Sequence, residues 1–425
     1  MTPSSATTLE PTKVSTGSSS FAVGSSQFSW LQKLARKRVL KWLEEIDGGS
    51  IQFADPQTHR LFGTSESDSM SAEWIVRNPE FYSQLATGGS LGLAESYLRG
   101  HWKTNDLTRL LTILCRNMNR ASKATPYAVA AAKLSGHLKQ WFNRNTRGQC
   151  RRQIATHYDL SNDFFALFLD PTLMYSSAYF ENDTTTLHEA SIAKLERICS
   201  KLNLQETDRV LEIGTGWGGF ALHAVKNHGI DLTTTTISAA QLTKARERVR
   251  DAGIEDRVQL LDSDYRDLEG QYDKLVSIEM VEAVGEKFLD AYFQQCGRLM
   301  KPGGRFVMQA IVMPEQRYQA YRRGTDFIQK YIFPGGFLPS VAAMQQAVGR
   351  TSDLRLAELE DLSTHYARTL KAWRERFFDR IDEVWQLGFD DRFIRMWEYY
   401  LCYCEAAFRE QAVRVVQIVW DKPKK

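Results

Sequence analysis

Gly214-Thr215-Gly216-Trp217-Gly218-Gly219 is the stretch of this chain best suited to holding a ligand. It follows an apolar run, Val210-Leu211-Glu212-Ile213, and precedes a second one, Phe220-Ala221-Leu222-His223-Ala224-Val225. That order reads as a buried parallel strand turning sharply into a crossover helix. Glycines in such a turn let a nucleotide-like ligand approach the backbone. A dinucleotide site would place an acid at the end of the next strand, about 20 residues on. That strand, Leu232–Ile237, closes on Thr235-Thr236-Ile237-Ser238 instead, which disfavours NAD. No Gly-Lys-Ser/Thr follows the glycines, so a Walker phosphate loop is excluded as well. The second residue of interest is Glu282, in the apolar setting Met280-Val281-Glu282-Ala283-Val284. An unpaired carboxylate is costly there, so Glu282 is either a functional acid or an acid serving a helix N-terminus.

The elements that must carry these residues alternate from His157 onward. Strands are expected at Arg209–Ile213, Leu232–Ile237, Arg257–Leu261, Lys274–Ile278 and Arg305–Ile311, with helices at Leu187–Leu202, Ala239–Asp251 and Phe288–Met300. Lys301-Pro302-Gly303-Gly304 reads as the stop of the last helix. Two final strands, Leu354–Leu359 and Val413–Trp420, have no crossover left to follow and suit an antiparallel edge. The expected fold is α/β, a Rossmann-like sheet with its ligands at the carboxyl ends of the strands. Aromatic-rich insertions, from Val312 to Arg350 and from Leu370 to Phe408, suggest a helical lid over an apolar substrate.

Ahead of this half, Ser29–Glu45 forms a basic amphipathic helix, with Leu31, Leu34, Val39, Leu40 and Leu43 among Lys33, Arg36, Lys37, Arg38 and Lys41. It is either a core-facing helix with a solvated face or a docking helix for anionic lipid, where each cation adds about 1 kcal/mol. Residues 27–118 read as a small α/β or mostly helical domain, 119–153 as a linker, and 154–425 as the catalytic domain. Residues 1–26 read as a disordered tail and not a secretory signal. Net charge of +3 gives no indication of a nucleic-acid binder, and no apolar run reaches the roughly 20 residues of a spanning helix. The six cysteines lack CxxC spacing, including Cys402-x-Cys404, and read as packing residues in a reducing cytosol with no metal.

Set beside these features, the motifs HYDLSNDFF (157–165), MYSSAYF (174–180), TTISAAQ (235–241), SDYRDL (263–268), SIEMVEAVG (277–285), RRGTDFIQKYIFPGGFLPS (322–340) and HYARTLKAWRERF (365–377) make a specific set. The region 154–425 resembles a class I S-adenosylmethionine-dependent methyltransferase, and more narrowly the cyclopropane-fatty-acyl-phospholipid synthase family. The N-terminal region resembles the small domain found ahead of the catalytic domain in bacterial members. The resemblance implies S-adenosylmethionine contacts at Gly214 and Gly216 for the amino-acid end, Thr236, Ser238 and Gln241 on the ribose side, Asp264 and Tyr265 by the adenine, and Tyr158 and Ser176 closing the methionine side. Tyr158 has an alternative as a core tyrosine, and Asp264 as a turn cap.

In the family reaction a cis double bond attacks the sulfonium methyl group, which asks for alignment more than for acid or base help. The resulting carbocation must be kept from water, and Tyr175, Tyr179, Phe180, Phe327, Tyr331 and Phe333 are the aromatic candidates to face it. The family's base is a bound bicarbonate, whose holders map onto Glu282 and Tyr366, with backbone groups near Ser177 and Ile311. Ser177 stands where many members have Cys, and Ala283 and Gln309 stand where some bacterial members have His. The expected reaction is therefore cyclopropane formation on the unsaturated acyl chains of a phospholipid bilayer. A methyl- or methylene-branched product is the alternative if the anion site is altered. The resemblance further implies a cytosolic homodimer, peripheral to the inner membrane face.

Overall fold

A computed structural model describes residues 28–64, 70–118 and 160–424. The expected tail and linker, and Tyr158, lie outside the described residues.

The first unit opens with α1 (Trp30–Leu43), whose N-terminus is closed by a Ser29–Gln32 capping box. β1 (Gly49–Asp55), β2 (Thr58–Thr64) and β3 (Ser71–Val76) follow, then α2 (Glu80–Leu98), β4 (Trp102–Lys103) and α3 (Leu107–Arg116). The four strands form one sheet in the order β2-β1-β3-β4, which settles this unit as α/β. β2 and β3 are not legible in the sequence because each buries only part of its residues, so neither reads as an apolar run.

The larger unit contains α4 (Asn162–Phe168), α5 (Leu187–Leu202), β5 (Arg209–Ile213), α6 (Gly219–His228), β6 (Asp231–Thr236), α7 (Ala239–Asp251), β7 (Val258–Asp262), β8 (Tyr272–Ile278), α8 (Leu289–Leu299) and β9 (Met300–Val312). It closes with α9 (Glu315–Tyr321), α10 (Val341–Thr351), β10 (Arg355–Asp361), α11 (Ser363–Asp379), α12 (Ile381–Gln386), α13 (Asp391–Arg409) and β11 (Arg414–Asp421). The seven-stranded order is β10-β11-β9-β8-β5-β6-β7. β5 to β9 run parallel, and β11 is antiparallel to both β9 and β10, as the lack of a crossover requires. The chain order reverses between β5 and β8, the switch point at which such sheets bind ligands. Lys301–Gly304 departs from the expected helix stop: the helix ends at Leu299, but these residues belong to β9 through an irregularity in its register with β8.

The two units share an aromatic core. Trp74 and Trp102 meet edge to face at 6.0 Å, Tyr97 spans from Trp102 to Tyr399, and the Tyr97 hydroxyl donates to Glu398 at 2.7 Å. Among the described residues no helix is long and apolar enough to cross a membrane.

Candidate active site

At the carboxyl end of β5 the chain takes left-handed backbone at Gly214 (φ 104°) and Gly216 (φ 53°). Gly214 and Thr215 both donate backbone N–H groups to the Thr235 carbonyl on β6, at 3.1 and 3.0 Å, which pins the loop to its neighbour strand. A Cβ built on Gly216 meets nothing within 4 Å, so the backbone there borders open space among the described residues. Beneath the loop, Glu212 accepts a 2.6 Å hydrogen bond from Thr234, whose hydroxyl also pairs with Thr215 at 2.7 Å. Burial pushes the Glu212 carboxyl up to about 8.

The polar row expected on the ribose side lies at the end of β6 and the start of α7. Thr236 donates to the Gln241 side chain at 3.2 Å, and Ser238 caps α7 by accepting from the Gln241 N–H. Asp264 is a turn cap, as its alternative reading has it, accepting from the Arg266 N–H at 3.0 Å and from its guanidinium at 2.7 and 2.6 Å. Tyr265 packs edge-on against Tyr292. An open loop flanked by hydroxyls and an amide fits the amino-acid and ribose ends of S-adenosylmethionine.

The acid centre lies on the other side of the switch point. Directly after β8, Glu279 adopts φ 50°, a left-handed conformation that costs a non-glycine residue roughly 1–2 kcal/mol. One carboxylate oxygen accepts from the Ser177 N–H and the Gln309 amide, both at 2.8 Å, and the other accepts from the Tyr366 hydroxyl at 3.0 Å. Gln309 is held in that orientation because its Oε1 accepts from Gln417 of β11 at 3.0 Å. Burial raises the Glu279 carboxyl, against the pull of these donors and of Lys194. Lys194 is itself fully buried, donates to Ser176 at 2.8 Å, and is pushed down to about 8 by desolvation.

Glu282 accepts from the Ile311 N–H at 2.5 Å, while its second oxygen is buried with no hydrogen-bond partner among the described residues. Burial first, and the neighbouring Glu279 second, push it up to about 8. Two carboxyls with such unequal donor sets separate into one ionised and one neutral group. Glu279, with three donors against one, is the better stabilised of the two as an anion. The 312–350 insertion touches this centre directly, since Phe337 donates its N–H to the Glu282 carbonyl at 2.8 Å.

Of the expected holders of a bicarbonate, the Ser177 N–H and the Tyr366 hydroxyl go to Glu279, and the Ile311 N–H goes to Glu282. The residues present do not fit a separately bound bicarbonate, because its donors are already taken. Glu279 had a signal in the sequence, an acid at the very end of the apolar strand Leu275-Val276-Ser277-Ile278. Lys194 had one too, on the apolar face of α5. Convergence of Glu279 with Ser177, Gln309 and Tyr366 has none, since it joins four distant segments.

Aromatic rings pack in a continuous row around Tyr366. It contacts Phe408 (4.5 Å) and Trp373 (5.9 Å), and Trp373 continues to Tyr175 (5.2 Å) and on to Phe333 (6.2 Å). Tyr175 and Tyr400 share a 2.9 Å hydrogen bond, which satisfies both hydroxyls inside this wall. Phe327 packs on Tyr331 and Tyr399, and Tyr331 donates to Glu95 of the first unit at 2.9 Å. Tyr179 and Phe180 are placed differently: they lie under the guanidinium groups of Arg197 and Arg368. The segment Ile328–Ile332 is a π-helical turn, a feature frequent at functional sites, and Lys330 pairs with Glu95 from it.

Residues 145–418 match the family model described as mycolic acid cyclopropane synthetase. The chain is 40% identical over 378 residues to a tuberculostearic acid methyltransferase of Mycobacterium tuberculosis, covering 87% of this chain and 85% of that one. It is 35% identical over 364 residues to a cyclopropane-fatty-acyl-phospholipid synthase of Escherichia coli, covering 85% and 90%. Among solved structures it resembles a mycolic acid cyclopropane synthase complexed with SAH and CTAB, with a TM-score of 0.60 at 30% identity over 64% of this chain and 98% of that one.

Proposed function

Since the chain belongs to the mycolic acid cyclopropane synthetase family of S-adenosylmethionine-dependent methyltransferases, we propose that it methylates the cis double bond of unsaturated phospholipid acyl chains to give a branched chain. The activity class, S-adenosylmethionine-dependent methylation of fatty acyl chains, comes with the family. What carries the finer reading is the aromatic wall of Tyr175, Phe333, Trp373, Tyr366 and Phe408, which adjoins a buried carboxylate beside the cofactor loop. A branched product is favoured because the 40%-identical relative is named as a methyltransferase. A ring is the second reading, favoured by the 35%-identical synthase.

S-adenosylmethionine, when bound, supplies an activated methyl group on a sulfonium leaving group. Gly214 and Gly216 would hold its amino-acid end, and Thr236, Ser238 and Gln241 its ribose. The protein's share of the chemistry is positioning and exclusion of water. Ring faces lower the energy of a cationic chain carbon by about 0.5–2 kcal/mol each, and the buried setting keeps water from capturing it. Loss of a proton from the added carbon then closes a ring, or, once the adjacent hydrogen has shifted with its electrons to the cationic carbon, leaves a methylene branch; a saturated methyl branch requires a separate reductant.

Purified protein, vesicles of unsaturated phospholipid and methyl-deuterated S-adenosylmethionine test this by mass spectrometry of the acyl chains. The expected product carries one added carbon with two of its deuteriums and retains an olefin. Loss of the olefin with the same mass gain assigns the ring. No mass gain on any unsaturated phospholipid overturns the lipid-methylation reading.

The substrate's location gives α1 its role in this proposal, as a peripheral docking element for the bilayer. Gln32, Ala35, Val39 and Leu43 face the core, leaving Trp30 (77% exposed) and Leu34 (43%) outward among Lys33, Lys37, Arg38 and Lys41. Indole and leucine beside lysines suit an anionic lipid interface. The double change Trp30→Ser and Leu34→Ser is expected to weaken sedimentation with anionic vesicles about tenfold without lowering the melting temperature. Unchanged sedimentation would return α1 to a purely structural role.

A further inference from the structure

We infer that Glu279 is the proton acceptor of this enzyme, its own carboxylate filling the place that the family resemblance gives to a bound bicarbonate. The inference rests on the lipid-methylation reading above. Three groups converge on this one side chain: the Ser177 N–H, the Gln309 amide and the Tyr366 hydroxyl. A second anion brought to those donors would sit against a buried carboxylate, an arrangement that a low-dielectric site penalises heavily.

Four further observations support a built site. Glu279 is held in left-handed backbone, a strain that persists only where the surroundings over-determine it. Its own N–H donates to the Gln309 carbonyl at 2.7 Å, so backbone and side chain of Gln309 grip the same residue. Gln417 fixes the amide so that its donor end, and not its oxygen, faces Glu279. Tyr366 is both a donor to the carboxylate and a ring of the aromatic wall, which puts the base at the edge of the aromatic cluster.

The step balances without an oxidant or reductant. The carbon–sulfur bond to the methyl group breaks as a carbon–carbon bond to one olefinic carbon forms, leaving positive charge on the other. A C–H bond of the new methyl group then breaks, and its proton passes to a Glu279 oxygen. Its electron pair closes the ring, or, once the adjacent hydrogen has shifted with its electrons to the cationic carbon, forms the double bond of a methylene branch.

The test compares wild type, Glu279→Gln and Glu279→Gly in carbon-dioxide-free buffer, with and without added bicarbonate or formate, and follows turnover, SAH affinity and melting temperature. Wild-type turnover is expected to be unchanged by removing bicarbonate. Glu279→Gln should lose at least about 10²-fold in turnover while SAH affinity and melting temperature stay near wild type. Glu279→Gly, which relieves the backbone strain and empties the seat, should be equally slow and recover with either anion. A bicarbonate-dependent wild type overturns the inference, and so does a Glu279→Gln variant within a few-fold of wild-type turnover. A wild type that binds SAH but modifies no lipid overturns the parent reading, and the base assignment with it.

Discussion

Thermal melts of wild type and Glu282→Gln are expected to diverge as pH rises from 5 to 8, with the glutamine variant the more stable at the alkaline end. Glu282 is raised from 4.5 to about 8, first by burial and then by the charge of Glu279. Between those two values the unfolded chain has lost this proton and the folded protein still holds it. The folded state binds more protons there, so stability falls with rising pH, and the whole loss is present above pH 8. Each tenfold difference in proton affinity is worth about 1.4 kcal/mol, so the carboxyl costs roughly a few kcal/mol at pH 8. Glutamine keeps an oxygen for the Ile311 N–H and has no proton to lose. Because Glu282 is neutral at pH 7, the same variant is expected to keep turnover there within about tenfold, in contrast to Glu279→Gln. Parallel melting curves across this pH range would show that Glu282 ionises in the folded protein at the ordinary carboxylate value and is not held neutral by burial. Loss of activity as deep as that of Glu279→Gln would make it a second essential carboxylate.

That contrast also marks what the sequence could and could not convey. β5, β8, β9 and β11 of the large sheet are legible because each buries a run of apolar residues, and β5, α5 and α7 have the expected bounds. The Thr236–Gln241 row is legible for a related reason: its geometry is set within a few residues, by a side-chain bond and a helix cap. Glu282 stands out as an acid among apolar neighbours, yet Glu279, three residues earlier, has the same setting and the richer set of partners. What distinguishes them is supplied from afar, by the 172–177 segment, β9 and α11. Tyr179 and Phe180 illustrate the converse. Their motif groups them with Tyr175, but the chain turns between, and they end beneath arginines instead of in the aromatic wall. Nothing in a linear pattern separates those outcomes.

Two glycines of one motif are expected to respond oppositely to the same substitution. Gly216→Ala adds a Cβ into open space, so nothing in the fold resists it except its left-handed backbone at φ 53°. That costs about 1 kcal/mol, while under the proposed function the new methyl group would stand where the cofactor approaches. SAH affinity is expected to fall about 10²-fold with a small drop in melting temperature. Gly219→Ala puts its Cβ 2.5 Å from the Met174 sulfur and 2.7 Å from the Thr172 carbonyl. A methionine side chain can swing away, but a backbone carbonyl moves only with its segment. That segment continues into Ser176, which accepts from Lys194, and Ser177, whose N–H holds Glu279. Overpacking of this kind costs about 1–3 kcal/mol, and the strain is relieved by shifting the donor away from the carboxylate. Gly219→Ala is therefore expected to lower melting temperature more than Gly216→Ala does, and to depress turnover at saturating S-adenosylmethionine with less effect on SAH affinity. Calorimetric SAH titrations and melts of both variants separate the two roles. If Gly219→Ala instead loses SAH affinity as strongly as Gly216→Ala at an unchanged melting temperature, the coupling through residues 172–177 is wrong, and both glycines serve the cofactor alone.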